Sequence, residues 1–232
     1  MFQQVYALLD EQTWRALALI PANTWATVYM VAISCGVGTL LGAPLGVWLA
    51  TSGKDGLFAA PRANRYVAVV ANSVRSVPYI ILLLAIIPFT RLVVGTMIGT
   101  TAATVPLTLA CVPFIARIVE TAVREVDQSL VEAAKAMGAT PLQIVRKVLV
   151  PEAMPAIVSG LTLTVISLIG YSAMAGAVGG GGLGDLALRY GYQRYMPEVM
   201  VAVVIILILM VQAVQTIGDQ LARRVNKRQR AA

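Results

Sequence analysis

Five long apolar runs, at about 23–50, 66–90, 99–119, 155–178 and 197–218, constrain the fold of this chain more than any other feature. A helix needs about 20 mostly apolar residues to cross the hydrocarbon core of a bilayer, and each run is long enough. The composition agrees, because 58% of the residues are hydrophobic and only 12% are charged, whereas about a quarter of a soluble domain is charged. We predict an all-α integral membrane protein in which residues 1–232 form a single transmembrane domain of five helices.

The lysines and arginines are distributed unevenly between the two sides of these spans. Thirteen of the 18 basic residues fall on one side, four fall on the other, and Arg75 lies within a span. Cytoplasmic loops are enriched in Lys and Arg, so we predict an N-terminus outside and a C-terminus in the cytoplasm. The net charge is +7, but the basic residues flank the spans and do not form one stripe with aromatic residues. This distribution excludes nucleic acid as a partner. The predicted cytoplasmic side holds Lys54, Arg62, Arg65, Arg117, Arg124, Lys135, Arg146, Lys147, Arg223, Arg224, Lys227, Arg228 and Arg230, and the outer side holds Arg15, Arg91, Arg189 and Arg194.

The longest polar stretch, at about 120–154, is predicted to face the cytoplasm and to contain two helices. Residues 120–137 are rich in Ala, Glu and Val, and Gly138 is well placed to end the first helix. Thr140 is the predicted N-cap of the second helix, whose first position is Pro141. We expect Pro151 and Pro155 to break the chain before the fourth span. An ordinary amphipathic connector on the membrane surface is the alternative.

Several kinds of chemistry have no matching residues in this chain. Histidine is absent, and Cys35 and Cys111 lie within apolar runs, so we predict no metal site and no catalytic residue. The 11 carboxylates lie outside the apolar cores of the spans, which leaves no obvious proton relay. No phosphate-binding loop of the G-x-x-x-x-G-K-[ST] type is present. If the chain pumps a solute, its energy must come from a partner, although coupling to sodium through backbone carbonyls remains open.

Two places in the spans are candidates for a pathway across the membrane. Arg75 in the second span either lines a cavity or braces a gate, or else extends its charge toward the cytoplasm. Met174 near the outer end of the fourth span is surrounded by small residues, so its flexible thioether could form a constriction, with ordinary helix packing as the alternative. The candidate pathway or gate residues are Met174, Tyr171, Ser172, Arg75 and Ser76.

The cytoplasmic stretch also carries a recognisable motif. Glu132-Ala133-Ala134 is followed by three residues and Gly138, and after nine more residues by Val148-Leu149-Val150-Pro151. This pattern resembles the EAA loop of the permease subunits of bacterial ABC importers, with Val in place of the usual Ile and Leu. Phrases such as Arg75-Ser76-Val77-Pro78-Tyr79 and Gly170-Tyr171-Ser172-Ala173-Met174 look like those of the methionine-import permeases. The resemblance runs from about residue 22 to residue 219.

The resemblance implies a five-helix permease in the bacterial inner membrane, with a cytoplasmic two-helix coupling loop. It implies a homodimer that binds two P-loop ATPase subunits and a periplasmic or lipid-anchored substrate-binding protein. This chain would hold no cofactor, because ATP and Mg would be bound by the ATPase, and L- and D-methionine would be the solutes. Alternatives are a permease for another amino acid or an osmolyte, and a secondary transporter that works without ATP. The implied ATPase-coupling residues are Asp127, Ser129, Leu130, Glu132, Ala133, Ala134, Met137 and Gly138.

Overall fold

The computed structural model describes residues 11–54 and 56–226, and every regular element within those ranges is helical. The predicted all-α fold is therefore confirmed for the described chain, while Lys227, Arg228 and Arg230 of the predicted cytoplasmic tail lie outside it. Turns of π-helix occupy Val145–Leu149, Gly176–Gly180 and Ala187–Tyr192. The helices are α1 (Glu11–Leu17), α2 (Ile20–Thr51), α3 (Pro61–Ser76), α4 (Tyr79–Ala85), α5 (Ile87–Val94), α6 (Thr100–Arg124), α7 (Gln128–Ala136), α8 (Pro141–Ile144), α9 (Val150–Ala175), α10 (Gly182–Leu186) and α11 (Pro197–Val225).

Four helical stretches of the described chain are long and apolar enough to cross a membrane. They are Glu11–Thr51, Thr100–Arg124, Pro141–Gly180 and Pro197–Val225. A fifth span results if α3 and α4, which are separated by a sharp bend, are counted together. The structure thus supports four or five spans, and each stretch overlaps one of the apolar runs in the sequence.

The predicted second span, 66–90, is not one continuous helix but parts of α3, α4 and α5. The first break is at Val77, which is extended at φ −81° and ψ 126° because the ring of Pro78 disfavours a helical residue before it. The second break is at Ile86, with Pro88 in the first turn of α5. Hydropathy alone predicts one continuous span here. The two prolines, Pro78 and Pro88, accompany the breaks that divide it into three helices.

The backbone carbonyl that Pro78 leaves without its usual donor is that of Val74, one turn earlier. It accepts a hydrogen bond from the backbone N–H of Val77 at 3.3 Å. The side chains of Ser73 and Ser76 donate instead to the carbonyls of Val69 and Asn72. The freed carbonyl therefore bonds to the backbone and not to these serine side chains.

The prolines before the fourth span behave differently from Pro78. Instead of breaking the chain, Pro151 and Pro155 lie in a helical stretch that continues from α8 through the π-turn into α9. In that turn the N–H of Val150 bonds to the carbonyl of Val145, five residues earlier. A π-turn changes the hydrogen-bond register, so a residue without an N–H can follow it without ending the helix. The predicted break is therefore wrong.

The chain forms two compact units, and α2, α6, α9 and α11 each contribute residues to both. The first unit, which includes Tyr79–Leu107 and Ser167–Ala213, has a core cluster made of Ala16, Leu183, Leu186, Val199 and Val203. The second unit comprises Cys35–Pro78, Thr108–Ile166 and the residues from Val214 onward. The single-domain organisation remains a prediction.

Within the second unit, α2 and α6 approach closely along a row of glycines. A Cβ atom at Gly42 would lie 2.7 Å from the carbonyl oxygen of Val112, and one at Gly46 would lie 2.3 Å from that of Ala116. Real Cβ atoms do not come this close to backbone oxygen, so the contact requires glycine. Small residues four apart allow such backbone contact between membrane helices.

Candidate functional site

Helix α7 is the centre of the motif-bearing segment, and side-chain caps define where it begins. The carboxylate of Asp127 accepts a hydrogen bond from the backbone N–H of Ser129 at 2.9 Å. Asp is a favoured N-cap residue because its side chain satisfies a free N–H of the first turn. The predicted continuous helix over 120–137 is therefore wrong, since α6 ends at Arg124 and α7 begins at Gln128.

The end of α7 follows the sequence prediction. Gly138 has φ +77°, in the left-handed region that favours glycine. The N–H of Gly138 bonds to the carbonyl of Lys135 at 2.9 Å, and the N–H of Ala139 bonds to that of Ala134 at 3.0 Å. These bonds satisfy carbonyls that the helix end would leave free, so the predicted helix-ending role of Gly138 is confirmed.

The start of α8 also follows the prediction. The hydroxyl of Thr140 accepts from the N–H of Gln143, and the side chain of Gln143 accepts from the N–H of Thr140 at 2.8 Å. This reciprocal pair is a capping box, and Pro141 occupies the first helical position. Both turns of the loop are thus held by their own residues, which gives α7 a defined orientation relative to α8.

The two faces of α7 differ in exposure. Val131 and Ala134 are buried within the second unit, to which α7 belongs, and Ala134 is only 4% exposed. The opposite face carries Glu132 and Ala133, both exposed. Ala134 therefore has little free surface in this structure, and its role in docking remains a prediction. The other predicted coupling residues, Asp127, Ser129, Leu130, Glu132, Ala133, Met137 and Gly138, are all exposed.

Large apolar side chains are exposed around this face. Met137 at the end of α7 is 81% exposed, and Leu130 and Leu142 are exposed as well. We call Leu130, Met137 and Leu142, together with the exposed Glu132 and Ala133, the α7 surface. Apolar residues grouped in this way, with polar neighbours, are typical of a surface that another protein covers.

A cavity of about 300 Å³ lies behind α7, on the side opposite the α7 surface. Its walls come from the end of α2, the end of α6 and the buried side of α7, and include Thr51, Arg124, Gln128 and Lys135. The helix is therefore supported by packing at Val131 and Ala134, with a polar-lined space beside those contacts.

Arg75 lines a second and larger cavity, of about 460 Å³. The guanidinium carbon of Arg75 lies 5.6 Å from the centre of the Phe114 ring, within the range of a cation–π contact. Phe114, Arg117 and Leu163 also line this cavity. Ser76 is exposed but donates its hydroxyl to the carbonyl of Asn72 in its own helix. The cavity-lining position supports the first interpretation of Arg75, whereas Ser76 contributes a local helix bond.

The residues around Met174 belong to the first unit. Met174 is 47% exposed, and Tyr171, three residues earlier, stacks on Tyr79 with ring centres 4.8 Å apart. Ser172 is buried and donates its hydroxyl to the carbonyl of Ile169 at 2.7 Å. Ser172 therefore does not line an open surface in this structure, and its place among the pathway residues remains a prediction. Met174 and Tyr171 keep accessible side-chain surface.

The most buried charge in the described chain is Glu120, which belongs to none of the predicted sites. Glu120 is 2% exposed, and its two carboxylate oxygens accept from Arg117 at 2.6 Å and from Arg124 at 2.8 Å. The signal for it was available, because residues three and four apart lie on one face of a helix. The distribution of charges between the two sides of the membrane does not show that Arg117, Glu120 and Arg124 share one helix face.

The segment between α10 and α11 carries a second group of charged and aromatic side chains. Arg189 donates to both carboxylate oxygens of Asp185, at 2.7 and 2.6 Å, and this bond raises the pKa of Arg189. The guanidinium of Arg194 lies 4.6 Å from the centre of the Tyr190 ring. Tyr195 is 88% exposed. These contacts order the segment that the charge distribution assigns to the outer side.

Comparison with known proteins places these features in a family. The sequence pattern of the family described as "Binding-protein-dependent transport system inner membrane component" matches residues 42–231. A Vibrio cholerae protein named "Probable D-methionine transport system permease protein MetI" is 56% identical over 93% of this chain and 96% of its own. The "Methionine import system permease protein MetP" of Bacillus subtilis is 40% identical over 98% of this chain and 100% of its own.

A solved structure agrees with the fold over nearly the whole chain. It is described as "Inward facing conformations of the MetNI methionine ABC transporter" and is 46% identical to this chain, with a TM-score of 0.90. The match covers 94% of this chain and 100% of the solved one. Residues 42–231, which the family pattern matches, contain α7, the α7 surface and the residues that line both cavities. This chain belongs to the family of inner membrane components of binding-protein-dependent transport systems.

Proposed function

We propose that this chain is the membrane-spanning subunit of an ATP-driven ABC importer for methionine, in L- and D-forms. The observation that carries the proposal is the agreement with the MetNI methionine transporter, at 46% identity and a TM-score of 0.90. The names of relatives that match more than nine-tenths of the chain support the same solute. The buried ion pairs, caps and cavities described above provide no alternative reaction chemistry.

The proposed complex contains two copies of this chain, two ATPase subunits and a substrate-binding protein outside the membrane. The family description supports the dependence on a binding protein, and the relation to an ABC transporter supports the ATPase. ATP and Mg would bind the ATPase, so this chain performs no hydrolysis. We further propose five spans, with α3 and α4 forming the second, an N-terminus outside and α7 in the cytoplasm.

We assign the docking of the ATPase to the α7 surface. Leu130, Met137 and Leu142 supply apolar area and Glu132 supplies a charge that can fix the orientation of the partner. Closure of the ATPase around ATP would displace α7 in each copy of the chain. Since Val131 and Ala134 are buried on the other side of α7, that displacement would be transmitted to the rest of the second unit as a rigid movement.

The pathway residues in this proposal are Arg75, Tyr171 and Met174. Arg75 contributes a cation to its cavity, and Met174 contributes a flexible constriction that the partner copy would double. We expect Met174→Ala to raise ATP hydrolysis in the absence of methionine or to permit a leak of solute, because a small side chain leaves the constriction open. Hydrolysis and leak should be measured in vesicles, and unchanged values in both would remove Met174 from the pathway.

The test of the proposed function is import into vesicles that contain the chain with its ATPase, supplied with the binding protein and ATP. We expect uptake of labelled methionine that unlabelled methionine suppresses and that other amino acids or osmolytes do not. Glu132→Arg should abolish co-purification of the ATPase, because it reverses the charge of the α7 surface. Asp219→Arg is the matched control, since Asp219 is an exposed carboxylate on a different helix, α11. Uptake by the chain alone without ATP would contradict the proposal.

A further inference from the structure

A set of polar contacts around the buried carboxylate of Glu120 connects three helices of the second unit. It contains Glu120, Arg117 and Arg124 of α6, the backbone carbonyl of Leu49 in α2, and Asn64 of α3. We call these five groups the Glu120 cluster. Its members are separated by up to 75 positions in the chain, so they meet only in the folded protein.

The carboxylate of Glu120 is the centre of the cluster. It is 2% exposed, whereas its partners Arg117 and Arg124 keep 38% and 53% of their side chains exposed. Each oxygen of the carboxylate has its own arginine, at 2.6 and 2.8 Å. A carboxylate removed from water must be paired to remain charged, so Glu120 fixes the positions of both guanidinium groups.

Arg124 extends the cluster to the neighbouring helices. Besides Glu120, its guanidinium donates to the carbonyl of Leu49 at 3.4 Å. The side-chain amide of Asn64 donates to the same carbonyl at 2.7 Å and to the hydroxyl of Ser52 at 2.8 Å. The carbonyls at the end of a helix have no partner within it, and here Arg124 and Asn64 supply donors from α6 and α3.

The cluster has one end beside each cavity of the proposed machinery. Arg124 lines the 300 Å³ cavity behind α7, together with Gln128 and Lys135 of that helix. Arg117 lines the 460 Å³ cavity together with Arg75 and Phe114. Asn64 and Arg75 are on the same helix, α3, near its first and last turns. One carboxylate therefore pairs with an arginine beside each of the two cavities.

We infer that Glu120 is a positioning residue that transmits the movement of α7 to the cavity of Arg75, so that ATP hydrolysis is coupled to import. The inference rests on the proposed function. Its physical basis is that paired buried charges have few alternative arrangements, so a displacement of Arg124 moves Glu120, Arg117 and α3 together. A purely structural ion pair would stabilise α6 without affecting coupling.

The test compares Glu120→Gln with Glu120→Asp in vesicles that contain the chain with its ATPase, supplied with the binding protein. Glutamine keeps the size of the side chain but loses the charge that holds both arginines. We expect Glu120→Gln to retain the ATPase and hydrolyse ATP close to the wild-type rate, while import falls by about tenfold, a typical coupling between sites. Glu120→Asp should restore most of the import. Equal import by Glu120→Gln and wild type would overturn the inference, as would a parallel fall of import and hydrolysis in a complex that assembles normally.

The matched control is Glu11→Gln, which removes a carboxylate from an exposed pair with Arg15, four residues along a helix, and should leave import unchanged. If Glu120→Gln fails to assemble, Asn64→Ala and Arg124→Lys test the cluster more mildly. Combining those two changes should then reduce import by less than the product of their separate effects, because they interrupt one connection. Independent effects would overturn the inference. Failure of the wild-type complex to import methionine would instead contradict the proposed solute. The Glu120 variants could then still be compared by the ATP hydrolysis that the binding protein stimulates.

Discussion

At the scale of single residues, Gly138 shows how a backbone requirement determines a side chain. Its φ of +77° is in the left-handed region, and a Cβ atom there would meet nothing within 4 Å. The cost of another residue is therefore conformational, about 1–2 kcal/mol for residues with a Cβ atom. Asn is an exception, since it tolerates this conformation at helix ends.

We predict that Gly138→Val will loosen the last turn of α7 and reduce co-purification of the ATPase, whereas Gly138→Asn will preserve both. Hydrogen exchange of the amides of α7 measures the first effect, and the yield of ATPase on the tagged chain measures the second. Since both substitutions add side-chain atoms to an open position, they differ chiefly in backbone preference. Equal behaviour of the two variants would show that the conformation at Gly138 is unimportant for docking.

Several residues were assigned correctly from their sequence because their roles are local. Gly138, Thr140 and Pro141 act within a few positions of the chain, and the structure confirms all three. Ala134 and Ser172 are both buried in the structure, and the residues around them in sequence do not indicate this. A motif identifies which residues belong together, but it does not identify which of them face inward.

At the scale of elements, the contact between α2 and α6 is governed by glycines of one helix. Gly46 lies against the backbone of Ala116, whereas Gly36, ten positions earlier on α2, has open space around its Cβ position. A substitution at Gly36 changes only the helix propensity, whereas the same substitution at Gly46 also disturbs a close contact. Comparing the two positions therefore isolates the effect of the contact.

We predict that Gly46→Ala will destabilise the protein by about 1–3 kcal/mol, because the added methyl group forces the helices apart. Gly36→Ala should be neutral or stabilising by up to about 1 kcal/mol, since Ala is the better helix former. Thermal unfolding of the detergent-solubilised variants measures both. A Gly46→Ala variant as stable as Gly36→Ala would contradict the close packing of α2 on α6.

Proline is the reason that the elements could be predicted only in part. The apolar runs predicted where long helices occur, but Pro78 ends a helix while Pro155 lies inside one. The chemistry of the residue is the same in both cases. What differs is the surrounding structure, since a π-turn lies directly before the helix that holds Pro151 and Pro155, whereas none lies directly before Pro78. Hydropathy carries no information on that difference.

At the scale of the whole molecule, the positive-inside distribution predicts which surfaces meet the cytoplasm. We expect a cysteine introduced as Met137→Cys to react with a membrane-impermeant thiol reagent only in inverted vesicles. The matched variant Tyr195→Cys should react only in right-side-out cells. Both side chains are largely exposed, at 81% and 88%, so accessibility alone does not distinguish them. Labelling of Met137→Cys from the outer side would show that the orientation is the opposite of the predicted one. The α7 surface would then be out of reach of a cytoplasmic ATPase.

The exposed apolar part of the α7 surface also has a consequence for the lifetime of the subunit in the cell. A subunit synthesised in excess of its ATPase would present Met137, Leu130 and Leu142 uncovered to the cytosol, where such surfaces attract chaperones and proteases. Its lifetime would then depend on the supply of the partner, which would hold the two proteins near equal abundance without any dedicated regulator. A pulse–chase comparison of the chain with and without its ATPase measures this, and equal half-lives would exclude it.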